Sequence, residues 1–184
     1  MRIVAGKYRS RRLKVGPPEG TRPTSDRLRE TLFNILGSGV IESKFLDAYA
    51  GVGAIGIEAL SRGASRVEFV DSSPKACAAI AANLESLDIA DGYRVFQSTL
   101  AEVMKRGFQG RFDIVFLDPP YDRHHLYRHD LERFGQGAFL EAEGVLVVEH
   151  ARTMELPDSV ADLERIRTHP QGDSALTFYK AEAK

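Results

Sequence analysis

The chain has 184 residues, 43% of them hydrophobic and 28% charged, which suits one soluble domain with a small appendage and an ordinary buried core. A single cysteine excludes an internal disulfide, and no apolar run has the length of a membrane span or a secretory signal, so the expected address is the cytoplasm, with no membrane partner. The net charge of −1 hides an asymmetry: residues 1–29 hold nine Lys/Arg against two acids, a net of +7, which leaves −8 for the remainder. A basic arm on an acidic body points to a polyanion gripped from one side, or else to a solvated tail.

Taken in order, Ile3-Val4-Ala5 and Arg11 to Val15 read as two short strands of a basic hairpin, which alone would be marginal and must lean on something. Gly16-Pro17-Pro18-Glu19-Gly20 is a linker. A helix follows, with Thr24 or Ser25 as N-cap, Asp26 in its first turn, and Leu28, Leu32, Ile35 and Leu36 as its apolar stripe. Gly37-Ser38-Gly39 ends it, and Arg27 and Asn34 fall off the stripe toward solvent or a ligand.

Strands and helices then alternate. Strands are expected at Phe45 to Tyr49, Arg66 to Val70, Tyr93 to Phe96, Ile114 to Leu117 and Val145 to Glu149. Helices are expected at Ala54 to Ser61, Pro74 to Leu87, Leu100 to Lys105, and from Leu126 to Leu140 with a break near Gly135-Gln136-Gly137. Two extended runs, Leu163 to Thr168 and Ser174 to Tyr179, close the chain without a helix between them. This is the pattern of an α/β fold: a doubly wound, mostly parallel Rossmann-like sheet with a C-terminal antiparallel hairpin, preceded by the small basic hairpin and helix. The domain division expected is residues 1–37 for the nucleic-acid-contacting appendage and 38–184 for the Rossmann-like body.

Between the first strand and its helix lies D-A-Y-A-G-V-G-A-I-G, Asp47 to Gly56, in which Gly51, Gly53 and Gly56 satisfy G-x-G-x-x-G in its strand-to-helix context. Asp71, twenty positions past Gly51, ends the second strand where an acid binds ribose hydroxyls. NAD and S-adenosylmethionine both fit such a loop. A carboxylate beside a pyrophosphate is repulsive, whereas Asp47 and Asp118 are favourable neighbours for a sulfonium and an ammonium. The charge pattern therefore favours S-adenosylmethionine, with Asp47, Ala50, Gly51, Gly53, Gly56, Asp71, Ser72 and Ser98 as the expected cofactor set. Both acids also suit plain strand-end caps.

The second functional stretch is F-D-I-V-F-L-D-P-P-Y, Phe112 to Tyr121. Two prolines stop the strand, delivering Asp118, Pro119, Pro120 and Tyr121 to the crevice beyond the carboxyl ends of the strands. An exocyclic amine conjugated to a planar base is a poor nucleophile. Asp118 and the Pro119 carbonyl can accept its two N–H groups and aim its lone pair at a methyl donor, while Tyr121 offers a stacking face worth about 1–3 kcal/mol. No metal is called for: His125 and His129 share a helical face beside His124, but no third ligand type completes a motif. Cys77 lies inside a helix far from this strand, which disfavours a cysteine nucleophile. Glu149-His150 closes the fifth strand, as crevice rim or as cap.

Four segments together resemble the RsmD family, bacterial methyltransferases acting on the guanine N2 amine of small-subunit (16S) ribosomal RNA. They are R-P-T-S-D-R-L-R-E-T-L-F-N (Arg22 to Asn34), L-D-A-Y-A-G-V-G-A-I-G-I-E-A-L-S-R-G (Leu46 to Gly63), D-P-P-Y (Asp118 to Tyr121) and G-D-S-A-L-T-F-Y (Gly172 to Tyr179). The resemblance spans almost the whole chain. It implies that Asp47, Gly51, Gly53 and Asp71 hold S-adenosylmethionine, that Asp118 to Tyr121 hold the amine, and that the basic segment grips RNA through Arg9, Arg11, Arg12, Arg22, Thr24 and Arg27. The partner implied is ribosomal RNA within a partly assembled small subunit, met by a monomer. One departure concerns the adenine contact: where such enzymes often carry an acid or amide after the third strand, this chain has Gln97-Ser98-Thr99. Since D-P-P-Y reads an amine and not its ring, adenine N6 or a protein glutamine remain alternative targets. An NAD-dependent oxidoreductase and a non-catalytic RNA-binding assembly factor are the other classes open to this scaffold.

Overall fold

The computed structural model describes residues 1–16 and 25–181. Five strands alternate with helices in chain order: β1 (Lys44–Ala48), α2 (Ala54–Ser61), β2 (Arg66–Asp71), α3 (Pro74–Ser86), β3 (Tyr93–Gln97), α4 (Leu100–Arg106), β4 (Phe112–Leu117), α5 (His124–Gln136) and β5 (Leu140–Ala151). Helix α1 (Asp26–Leu36) precedes them, and β6 (Ser159–Val160), β7 (Leu163–Gln171) and β8 (Ser174–Ala181) follow. All eight strands form one sheet in the order β3-β2-β1-β4-β5-β8-β7-β6, parallel from β3 to β5 and antiparallel from β5 to β6. The expected α/β class with its closing antiparallel hairpin is the observed architecture.

Strand alternation sorts the core into two layers. Phe45, Phe69, Ile114 and Phe116 meet α1, α2 and α3 on one face, while Leu46, Val70, Val115 and Leu117 meet α4 and α5 on the other. Both faces are covered, which is why β4 reads as the unbroken apolar run I-V-F-L. Ser25, Ser73 and Thr99 cap α1, α3 and α4 through their side chains, the last in a full capping box with Glu102.

Three local expectations are corrected. The stripe of α1 is Leu28, Arg29, Leu32 and Phe33, with Ile35 and Leu36 only half-buried, because the Phe33 ring lies 6.3 Å from that of Phe45 and turns the helix toward β1. Helix α5 stops at Gln136, capped by Gly137, so Leu140 to Gly144 extend β5 instead of the helix. The basic hairpin is reduced to a single bridge between Arg2 and Arg12, because the amides of Val4 and Ala5 donate to the two carboxylate oxygens of Glu58, at 2.8 and 2.9 Å, rather than to a partner strand.

That N-terminal segment is clamped to the body. Glu58, fully buried, also meets Nη1 of the equally buried Arg29 at 3.5 Å and Nε of Arg62 at 2.8 Å. Gly6 runs so close to α2 that a Cβ would sit 1.8 Å from the Ser61 carbonyl oxygen, an approach open only to glycine. Ile3 and Leu13 join Leu28, Leu32 and Phe33 in the same apolar cluster as β1 and α2.

Candidate functional site

In the order 3-2-1-4-5, the chain reverses direction across the sheet between β1 and β4, the switch point at which open α/β sheets bind ligands. The register there pairs Asp47 with Phe116 and Ala48 with Leu117. The glycine loop therefore leaves β1 at the level where Asp118 leaves β4. The two acidic turns meet at one edge, as the sequence reading required.

The glycine loop is built from carboxylates accepting backbone amides. Asp71 Oδ2 takes the amide of Gly51 at 2.9 Å, and its Oδ1 that of Ser73 at 2.8 Å, so the end of β2 holds both its own turn and the loop beside it. Gly51 has φ +55° and open space where a Cβ would stand, a bare backbone that a ligand can approach. At Gly56 the demand is different: a Cβ would lie 2.3 Å from the Phe69 ring, so this glycine lets α2 pack directly on β2.

Asp47 accepts the Gly56 amide at 2.8 Å and is almost wholly buried. Burial is the main reason its carboxyl is pushed up from 3.8 to about 8; the Gly56 N–H opposes the shift and the nearby charge of Asp71 adds to it. A cation placed beside it would favour its ionised form.

Next to the loop a cleft of about 240 Å³ is walled by Asp71, Ser72, Ser98, Leu100, Tyr49 and Arg123. Three members of the expected cofactor set, Asp71, Ser72 and Ser98, thus line one cavity together with the apolar Leu100. This suits a nucleoside whose ribose meets a carboxylate and whose ring meets aliphatic carbon. Ala50 lies buried on the loop, its amide donating to the Val70 carbonyl. Arg123, the N-cap residue before α5, and Arg133 within it also line the cleft and were not foreseen. A larger cleft of about 390 Å³ opens beside Ile41, Asp113 and Ile166, at the amino ends of the strands. Its walls are mostly aliphatic, so size alone does not mark the functional edge.

The D-P-P-Y turn is held from two sides. Pro119 is buried and its carbonyl accepts the Tyr127 hydroxyl at 3.0 Å, while Pro120 is exposed. The Tyr121 hydroxyl lies 3.0 Å from Ser174 Oγ and donates to Glu149 Oε1 at 3.3 Å, and Ser174 donates to that same oxygen at 3.2 Å. The terminal motif G-D-S-A-L-T-F-Y thereby gains a role: its Ser174, with Glu149, fixes the rim of the aromatic ring. His150 instead points into the core, its Nε2 2.8 Å from Thr177 Oγ1, and burial lowers its pKa.

The expected RNA-contacting residues separate. Arg9, Arg12 and Arg27 are exposed. Arg11 is tied down, donating to the carbonyls of Ser86 at 2.7 Å and Leu87 at 3.0 Å and meeting Asp88 at 3.3 Å. It closes the C-terminus of α3, where a cation is favoured by the helix dipole. Arg22 and Thr24 lie outside the described residues. Among the described residues no group of three or more His, Cys, Asp or Glu could hold a metal, and no helix is long and apolar enough to cross a membrane.

Comparison with known proteins agrees with this geometry. Residues 1–180 match the family model described as "Conserved hypothetical protein 95". The chain is 32% identical to the ribosomal RNA small subunit methyltransferase D of Escherichia coli K12, over 100% of this chain and 91% of that protein. The solved structure of the Escherichia coli yhhF protein superposes with a TM-score of 0.85 at 32% identity, covering 100% of this chain and 99% of that one. The Thermus thermophilus protein TTHA0928 gives 0.79 at 30%, over 97% and 98%. More distantly, at 17% identity and a TM-score of 0.63, the fold is shared by the protein SMU.776, over 84% of this chain and 48% of that one, in a structure complexed with SAH. With both acidic turns, the clamped N-terminal segment and the full-length match in agreement, the chain belongs to the RsmD family.

Proposed function

We propose that this protein transfers a methyl group from S-adenosylmethionine to the exocyclic N2 amine of a guanine in small-subunit ribosomal RNA. The observation that carries the reading is the β1–β4 register, which sets the glycine loop beside D-P-P-Y. The kinship with a small-subunit rRNA methyltransferase supports the substrate, and the SAH held by a protein of the same fold supports the donor.

When bound, the donor supplies a methyl group on a sulfonium; the rest falls to the chain. Asp71 and Ser98 would hold the nucleoside end in the cleft they line. Asp118 and the Pro119 carbonyl would accept hydrogen bonds from the two amine N–H groups, turning the nitrogen lone pair out of conjugation; as the N–CH3 bond forms and the S–CH3 bond breaks, one of these protons would leave through Asp118 to solvent. The carbonyl has two lone pairs, so the Tyr127 hydroxyl leaves one for the substrate. Tyr121 would stack on the base, its hydroxyl anchored so that the ring presents a fixed face. Contact between donor and acceptor then supplies much of the rate, since no covalent intermediate is required. The base must leave its stack, so the target nucleotide is looped out or flipped. Exposed Arg9, Arg12 and Arg27 would meet phosphates elsewhere on the RNA.

The test is tritiated methyl transfer to 16S rRNA and to small subunits from methylation-deficient cells, followed by nucleoside analysis. Label in N2-methylguanosine is expected, with Asp118→Ala reducing transfer by about a hundredfold or more. Label in adenine or in protein would move the reaction to another amine. Tight binding of NADH with no response to S-adenosylhomocysteine would falsify the methyltransferase reading altogether.

A further inference from the structure

Helix α5 makes a pair of contacts that neither the family resemblance nor the reaction itself accounts for. Tyr127 and Asp130 are three positions apart, so they stand on the same face of the helix, and both are buried, 2% and 1% exposed. Tyr127 donates to the Pro119 carbonyl at 3.0 Å. Asp130 accepts the hydroxyl of Tyr49 at 2.5 Å and is itself paired with Arg133 Nη1 at 2.8 Å. One contact reaches the turn after β4 and the other the turn after β1. We propose that this face of α5 is a brace that fixes the separation of the two turns, with Tyr127, Asp130 and Tyr49 as positioning residues for methyl transfer.

Adjacent strands fix their turns only up to the last ladder pair, Ala48 with Leu117; beyond it, Tyr49 and Pro119 leave the sheet. Tyr49 stands at φ +62°, a left-handed conformation unfavourable for an aromatic residue, which persists only where surrounding contacts over-determine it. A charged acceptor on a helix that carries its own counter-ion is such a contact. Finally, Tyr49 lines the cofactor cleft while Pro119 belongs to the amine turn. A helix gripping both sets the gap across which the methyl must pass, and an error of about 1 Å there costs on the order of a hundredfold in rate.

The brace rests on the methyl-transfer reading above, so wild-type protein and variants are assayed together: single-turnover transfer to 16S rRNA at saturating S-adenosylmethionine, the Kd for S-adenosylhomocysteine, and the thermal midpoint. The variants are Tyr127→Phe, Tyr49→Phe and the double substitution, with Phe134→Leu on the same buried helix as a packing control. Tyr127→Phe is expected to slow transfer by about tenfold to a hundredfold while the Kd stays within about twofold. The control should lose thermal midpoint without losing rate. Since releasing either anchor frees the gap, the double variant should be little slower than the slower single. Rates in Tyr127→Phe no lower than in a control of equal midpoint, or losses that multiply in the double variant, would overturn the brace and leave the functional reading intact. Failure of the wild-type protein to label any RNA would overturn both.

Discussion

The two edges of the sheet use charge in opposite ways. At the amino ends of the strands, cations are consumed by the fold: Arg29 is fully buried against Glu58, and Arg11 closes the C-terminus of α3. At the carboxyl ends, polar groups are held in place by neighbours on other elements: Asp71, which lines the cleft, by the loop amides, the Pro119 carbonyl by Tyr127, and the Tyr121 hydroxyl by Ser174 and Glu149. The N-terminal +7 seen in the sequence is therefore two populations. One clamps the arm to α2 and α3; the other, Arg9, Arg12 and Arg27, faces solvent. A charge count cannot separate them, because the partner each cation meets, and not its sign, decides its role: Arg11 is itself exposed yet bonded to the end of α3.

The clamp can be broken hardest. Arg29→Ala leaves Glu58 buried and short of a counter-ion, and losing one partner of a buried pair costs about 3–5 kcal/mol. Urea unfolding should show that loss. A change below about 1 kcal/mol would mean that Arg62 and the Val4 and Ala5 amides satisfy Glu58 without it. On the functional edge the corresponding acid is Asp47, and its signature is a pH dependence. Its pKa is 3.8 when exposed and about 8 when folded, so between those values the folded state keeps a proton that the unfolded chain releases. Stability from this group is therefore present at low pH and lost as pH rises from about 4 to about 8, at up to about 1.4 kcal/mol per pH unit. Comparing Asp47→Asn with wild type across pH 5–9 isolates the group, and the asparagine variant should be the flatter. Binding of S-adenosylmethionine should tighten toward pH 8 in wild type and lose that trend in the variant. Parallel stability curves would sink the assignment.

Much of the sheet was legible because its signals are local. A continuous apolar run ended by two prolines can only be a buried strand that stops, and β4 does stop at Leu117. The G-x-G-x-x-G spacing marks Gly51 for open backbone and Gly56 for close helix–strand packing, and both are found so. What was not legible depends on partners distant in sequence. Arg29 looks like one more cation of a basic arm until Glu58, 29 positions on, is seen to swallow it. Ser174 reads only as part of a family motif until β8 lies antiparallel to β5 and brings it to Tyr121. Helix α5 offers no sequence signal for Tyr127 and Asp130 as anchors, since an aromatic and an acid three apart occur on many helices. The same holds for Arg133, which α5 carries into the cleft, and for Arg123 at its N-cap.

The subtlest way to sharpen the comparison is to split the arm's own arginines. The hairpin tip is bonded to the last residue of α2, where the Lys7 amide meets the Ser61 carbonyl at 2.7 Å, and to the end of α3. Helix α2 runs from the glycine loop and α3 from the turn after β2, both away from the carboxyl ends of the strands, so the tip stands toward the amino ends, a strand length or about 17–20 Å from the D-P-P-Y turn. An RNA touching both must be an extended or folded segment and not a single flipped nucleotide. Arg11→Ala should then cost about 0.5–1 kcal/mol through the lost closure of α3 and leave the salt dependence of RNA binding unchanged. Arg9→Ala with Arg12→Ala should leave stability within about 0.5 kcal/mol. For each phosphate released, that pair should lower the slope of log K against log salt by about 0.7. If instead the Arg11 variant flattens the slope and the Arg9/Arg12 pair does not, the cation bonded to α3 leaves it to meet RNA, and the static division between clamp and contact fails.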